Sequence, residues 1–250
     1  MNDLQIIDAI TKIGFLLLKH GSEIYRVEES LQRMCEGMGF KDVEVFAIPS
    51  YFTLSLTLSN GQRYQTSKRS RVNKTHLDHL YALNNLVRQI SNHELTLQQI
   101  QQTIDTIENQ PLNKLLILIG YVTSAAMFSL FFGGGFYEMW AGAIIGFILY
   151  YFSHLLEILK INSIVCTILS SMVLSSIAII AYKFHLIQNY QSVITGTLMI
   201  LVPGIAITNS LRDIMGGDFV SGLSRMIEAI LIAASIAIGV GIMMMILGGA

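Results

Sequence analysis

The sequence predicts a membrane protein: an α-helical transmembrane bundle of five spans preceded by a cytoplasmic α+β domain. Three observations lead there. Hydrophobic residues make up 52% of the chain and charged ones 13%, with a mean hydropathy of +0.56, outside ordinary soluble usage. Charge is unevenly spread, since 12 of the 16 Lys and Arg and 12 of the 17 Asp and Glu fall in residues 1–114. Beyond that point come apolar runs of the length a bilayer requires. The expected division is therefore 1–113 for the polar domain and 114–250 for the membrane domain. A net charge of −1 argues against a nucleic-acid partner. Cys35 and Cys166, one in each part, are too few for a disulfide framework or a Cys-rich metal site.

The polar part has the periods of a folded domain. Ile6, Ile10, Ile13 and Leu17 fall on one helical stripe, and "GSEIYRVEESLQRMCEGMGF" reads as a second helix that starts after Gly21 and is closed by Gly37 and Gly39. "DVEVFAIPSYFTLSLTLSNGQRYQT" alternates apolar and polar residues and carries Asn60-Gly61, a strong hairpin signal, so two or three antiparallel strands are expected. Leu80, Leu83, Val87 and Ile90 return to helical spacing, and "TLQQIQQTIDTIE" gives a last short helix before Pro111. Asp3 and Asp8 stand where a secretory signal needs basic and then apolar residues, so this part is expected to stay in the cytoplasm.

Five spans are expected at 115–132, 139–156, 161–182, 192–208 and 226–247. Lys160, Arg212 and Arg225 lie in loops on the side of the polar domain and only Lys183 lies on the other. That places 15 basic residues against 1 and makes the N-terminal side cytoplasmic, with the C-terminus outside. Trp140, Tyr137, Tyr150, Tyr151 and Tyr182 cluster near span ends, as membrane-interface rings or as ordinary packing aromatics.

Several stretches together carry a family likeness: "LLLKHGSEIYRVEESLQRM", "DVEVFAIPSYFTLSL", "RVNKTHLDHLYALNNL" and above all "LVPGIAITNSLRDIMGGDFVSGLSRMIEAILIAASIAIGVG". In these the chain resembles the threonine/serine exporter family in its short, split-chain YjjP-like form, over nearly its whole length and in the same order. The long form continues into a second membrane segment, which this sequence lacks. The resemblance implies one half of a transporter in a bacterial inner membrane, whose other half is a separate, smaller multi-span subunit. It implies an amino or carboxylic acid substrate, threonine and serine for the family and succinate for the split-chain forms.

The residues themselves point to a solute path in the fourth span. Pro203 removes a backbone donor, and with Gly204 it weakens the helix where carbonyls can face a solute, as broken spans do in transporters. Asn209, Arg212 and Asp213, at i, i+3 and i+4, share a face. Arg212 then suits a solute carboxylate, and Asn209 and Asp213 suit an amine or hydroxyl. These five are the expected substrate-binding residues; the competing reading makes the charged ones a solvated, topogenic loop. Glu23, Arg26, Glu28 and Glu29 are gate candidates or a solvated helix face. Asp218 is read as a cap for the fifth span, Arg225 as part of the loop, and Glu228 as a coupling carboxylate or simply the i+3 partner of Arg225.

The remaining polar residues point to blander roles. His154 and Glu157 are read as capping an interface, and Thr123, Ser124, Ser170, Ser171, Ser175 and Ser176 as helix-packing contacts. Lys68, Arg69, Arg71 and Lys74 form a basic run that is either wet surface or a headgroup contact. "THLDHL", with His76, Asp78 and His79, invites a metal or hydrolase reading, but no Gly-flanked nucleophile, His-Glu-x-x-His or phosphate loop accompanies it. No metal, cofactor or catalytic residue is expected. Without an ATP-binding motif, the driving force is an ion or solute gradient. A membrane-anchored enzyme or sensor using the N-terminal domain is the alternative of a different class. Five spans exceed what a tether needs, which favours transport.

Overall fold

The computed structural model describes residues 3–70, 75–111 and 113–248. Arg71 and Lys74 of the basic run and the last two residues lie outside them. The chain divides into two compact units, one of residues 1–111 with 207–226, the other of residues 112–206 with 227–250. The segment after the proline-glycine break thus groups with the polar unit.

In the first unit, α1 (Asp3–Lys19) buries Ile6, Ile10, Ile13 and Leu17 along its expected stripe, and α2 (Ile24–Gly37) buries Ile24, Val27, Leu31 and Met34. Gly39, at φ 87°, takes the left-handed turn that ends α2 and leads into the sheet. Strands β1 (Lys41–Ile48), β2 (Tyr51–Thr57) and β3 (Arg63–Arg69) form an antiparallel sheet in that order. Asn60-Gly61 turns β2 into β3. On β2, Phe52, Leu54 and Leu56 are buried and join the cluster of α1 and α2. Helices α3 (Leu77–Ser91) and α4 (Leu97–Asn109) complete this core with Leu83, Leu86, Ile90, Ile100 and Ile104, and Thr96 and Gln99 form a capping box at the start of α4.

In the second unit, α5 (Lys114–Phe131), α6 (Phe136–Ile158) and α7 (Ser163–Lys183) are each long and apolar enough to cross a bilayer, as is α10 (Phe219–Leu247). Small residues let these helices approach closely. A Cβ on Gly146 of α6 would stand 2.6 Å from the carbonyl oxygen of Tyr121 on α5, and one on Gly239 of α10 would stand 2.5 Å from that of Ile168 on α7. The hydroxyls of Thr123, Ser171, Ser175 and Ser176 bond to carbonyls of their own helices.

The expected fourth span at 192–208 is not one helix. Among the described residues, four helices reach spanning length, and this segment is split into α8 (Tyr190–Leu198) and α9 (Gly204–Met215). The nine residues of α8 reach only about 13.5 Å, less than half of a bilayer core of about 30 Å. The break begins at Met199, four residues before Pro203, where the proline ring would meet the carbonyl of residue i−4.

Glu138, to which the sequence reading gave no role, is buried at the start of α6. It accepts from the backbone N–H of Gly135 (2.8 Å), Gln188 (2.7 Å) and Asn189 (3.0 Å), clasping the α5–α6 turn to the α7–α8 loop. Replacing one carboxylate oxygen by an amide NH2 leaves one or more of these donors unpaired. Glu138→Gln is expected to destabilise the protein by about 1–3 kcal/mol, read as a lower thermal midpoint in detergent. An unchanged midpoint would show that the clasp contributes nothing.

Candidate functional site at the α1–α2 turn

The cluster lies wholly within the first unit and is organised by the turn after α1. Gly21, at φ 83°, lets the chain reverse tightly against Thr75; a Cβ there would meet the Thr75 hydroxyl at 2.9 Å. The four residues that follow His20 each hold the α9–α10 hairpin. The Gly21 carbonyl accepts from the side-chain amide of Asn209 (3.3 Å), and the Ser22 carbonyl from the Arg225 guanidinium (2.6 Å). The Glu23 carboxylate accepts from Arg212 at 2.7 Å, and the Ile24 N–H donates to Asp213 at 3.1 Å. The hairpin itself is closed by Gly217 at φ 93° and by the Ser210 hydroxyl, which donates to the Gly222 carbonyl at 2.7 Å.

Asp213 is the most confined charge. Its side chain has no exposure, and Arg225 Nε stands 3.3 Å from its Oδ2, an ion pair by distance that is not aligned as a hydrogen bond. Its Oδ1 supplies the acceptor at the N-terminus of α2 that the helix's own N-cap, Glu23, does not. Burial pushes the Asp213 carboxyl above its ordinary range, against the opposing pull of Arg225 and the Ile24 N–H. Arg212 differs: its side chain is 54% exposed, whereas Glu23, which it shares with Arg26 at 3.3 Å, is 12% exposed.

Asn209, Arg212, Asp213, Glu23, Arg26 and Arg225 are thus brought together. The other candidates are placed differently. Glu28 turns to the sheet, accepting from the Ala47 N–H of β1 at 2.7 Å, and burial lifts its carboxyl above the ordinary range. Asp218 precedes α10 and contributes its main chain, donating to the Asp213 carbonyl at 2.8 Å and accepting from the Gly222 N–H at 2.9 Å. Arg225 pairs with Asp213 although Glu228 stands at i+3, and Glu228 is exposed on α10. Pro203, Gly204 and Glu228 belong to the second unit. Two participants carried no sequence signal: the backbone donor of Ile24, and His20, which meets His79 behind the turn. No three His, Cys, Asp or Glu side chains among the described residues are grouped to hold a metal ion.

Long apolar helices define a multi-pass membrane protein, and comparison with known proteins gives its class. The family described as "Putative threonine/serine exporter" matches residues 8–247. This chain belongs to that threonine/serine exporter family. It is similar to the "Probable succinate transporter subunit YjjP" of Escherichia coli (strain K12), with 22% identity over 241 residues that cover 93% of this chain and 92% of the relative. The protein of the same name from Klebsiella aerogenes matches with the same identity and coverage. No solved structure matches.

The two carboxylates of the cluster should respond differently to removal. Asp213→Ala strands a buried guanidinium and a helix N-terminus and is expected to cost about 3 kcal/mol, whereas Glu23→Gln, facing a half-exposed partner, should cost under about 1 kcal/mol. Thermal or denaturant unfolding of the purified variants reads the contrast; equal losses would show that Asp213 is not the central tie.

Proposed function

We propose that this chain is one subunit of a secondary exporter of small polar carboxylates, acting with a second, smaller multi-span membrane subunit, and that the α1–α2 turn closes its solute path. One observation carries the reading: the Glu23 carboxylate already occupies the guanidinium of a half-exposed Arg212. A solute carboxylate can take that place by exchange, because the incoming pair replaces an existing one and no charge is left bare.

Two substrate readings follow from the geometry. Asp213 is committed to Arg225 and Ile24, so it is not free to answer an ammonium, which favours a dicarboxylate such as succinate. The names of the two relatives point the same way. Threonine or serine, which the family description favours, needs an acceptor for its ammonium. Glu23, once displaced from Arg212, supplies one. Pro203 and Gly204, at the break between α8 and α9, remain the candidate solute contacts of the second unit, and Glu228 a candidate coupling group.

For topology we propose five crossings in the inner membrane, with the N-terminal unit cytoplasmic and the C-terminus outside. The chain leaves the first unit before α5, passes through three helices of spanning length, and rejoins that unit at residue 207. Three crossings by α5, α6 and α7 would end on the far side, which supports a return through residues 190–206 as a broken span. The distribution of basic residues supports the same orientation. In a variant lacking Cys35 and Cys166, Gln188→Cys should react with an impermeant thiol reagent on intact cells and Ser91→Cys should not. The reverse pattern overturns the orientation.

The transport reading is tested by efflux of radiolabelled succinate and threonine from cells expressing this chain with and without the second subunit. Efflux should require both chains. Arg212→Gln should weaken solute binding about ten- to a hundredfold, the equivalent of about 1.5–3 kcal/mol for a charge-assisted bond, while Arg212→Lys keeps part of it. Glu23→Gln should impair threonine and spare succinate if the freed carboxylate answers the ammonium. Normal efflux of both solutes by Arg212→Gln would remove Arg212 from the path, and robust transport by this chain reconstituted alone would remove the partner.

A further inference from the structure

Three imidazoles stand behind the α1–α2 turn. His20 directly follows α1, and His76 and His79 lie at the start of α3; ring centroids are 4.5 Å apart for His20 and His79, 5.4 Å for His20 and His76, and 5.5 Å for His76 and His79. Nδ1 of His79 meets Nε2 of His20 at 3.3 Å, so one ring donates and the other accepts when both are neutral. The two residues are 5% and 6% exposed, and among the described residues the outer nitrogens, His20 Nδ1 and His79 Nε2, have no hydrogen-bond partner. The His20 carbonyl accepts from the His76 N–H at 3.4 Å, which ties the turn to α3.

A second proton has no good place here. It would make a buried cation facing two other imidazoles, and although the His20–His79 bond itself keeps an acceptor, the new outer N–H would have none among the described residues. Among the described residues, the charged groups that bear on His20 from neighbouring elements are Lys19 at the end of α1, which repels, and Glu108 of α4, which attracts. Glu108 is already held by Lys12 at 3.0 Å, and its influence is the weakest of those acting on the ring. Burial first, then His79 and His76, lower the His20 pKa to about 4.

We propose that the His20–His76–His79 cluster is an acid-sensitive release for residues 21–24: a proton on the buried pair leaves a charge whose outer N–H has no acceptor, so the turn opens to water and lets go of the α9–α10 hairpin. The coupling is direct, since Gly21, Ser22, Glu23 and Ile24, which hold Asn209, Arg225, Arg212 and Asp213, follow His20 without interruption. Its consequence for transport rests on the reading of this turn as a gate; the release itself does not.

The sign follows from the direction of the shift. The closed turn keeps His20 neutral, so its stability is fully present above the ordinary value of about 6.5 and is lost as pH falls from there towards about 4. If opening returns His20 to that ordinary value, the opening constant rises about tenfold between pH 7.5 and pH 5.5. Hydrogen exchange of the full chain in nanodiscs tests this, with the Ile24 amide as reporter because it donates to Asp213. After correction for the intrinsic pH dependence of exchange, its protection should drop about tenfold over that range. In His20→Gln the profile should be flat, with protection at pH 7.5 retained. His20→Phe, which keeps a ring in place, gives the same comparison should the glutamine variant not fold. A flat profile in the unmodified chain, or a drop that persists in both variants, overturns the proposal. Exchange is read without solute or partner, so that outcome leaves the transport reading untouched, just as normal efflux by Arg212→Gln would leave the exchange profile untouched.

Discussion

A carboxylate removed from water has to be answered, and Asp213 is answered from two directions. Its Oδ1 takes the first free N–H of α2, and its Oδ2 faces Arg225 at the start of α10. Each answer fixes an element that would otherwise be free: the N-terminus of α2 gains the acceptor its own N-cap residue withholds, and the first turns of α10 are held beside α9. The neighbouring contacts of Asn209, Arg212 and Ser22 form around that tie rather than apart from it. This is why residues 207–226, which follow an apolar segment in sequence, group with the polar unit.

The proline-glycine break and the charged cluster are two parts of one arrangement along the chain. A continuous helix through residues 192–208 would carry a uniform apolar span into the loop. The stop at Met199, set by Pro203, and the restart at Gly204 let α9 begin afresh and present Asn209, Ser210 and Asp213 on one buried face. Arg212 then falls to the side of that face, half exposed, where its charge stays available to a second carboxylate. The difference in burial between Asp213 and Arg212 divides their work: one holds the structure, the other can exchange its partner.

Local spacing made much of this legible. The stripe of Ile6, Ile10, Ile13 and Leu17, the Asn60-Gly61 turn and the long apolar runs each follow from a period or a turn preference that a short window contains. The i, i+4 relation of Asn209 and Asp213 was equally local and does put both on one face. Partners far apart in sequence were not legible. Ile24 and Asp213 are 189 residues apart, and His20 and His79 are 59 apart; nothing in either neighbourhood encodes the other. The pairing of Arg225 shows what decides such cases. Glu228 stands at helical spacing, yet the guanidinium is taken by Asp213, whose buried carboxylate would otherwise lack an answering charge.

Burial acts on the two titratable groups beside this turn in opposite directions and to the same end. It raises the carboxyl of Asp213 and lowers the imidazole of His20, so each is pressed towards its neutral form. A proton gained by Asp213 removes the charge that answers Arg225; a proton gained by His20 adds a charge that nothing in the cluster answers. The two carry opposite signs in pH: a carboxyl raised in the closed turn takes its proton more readily there and so favours closure in acid, whereas an imidazole lowered there favours opening. Acidification therefore weakens the closed arrangement through His20, with Asp213 acting against it. His20 leaves its ordinary value of about 6.5 for a folded value of about 4, so the closed turn resists charging it, and the strain appears in the pH range between the two. A fold that needed only stability at this corner would be served by apolar packing; two opposed buried groups at one turn instead make its closure a function of proton concentration.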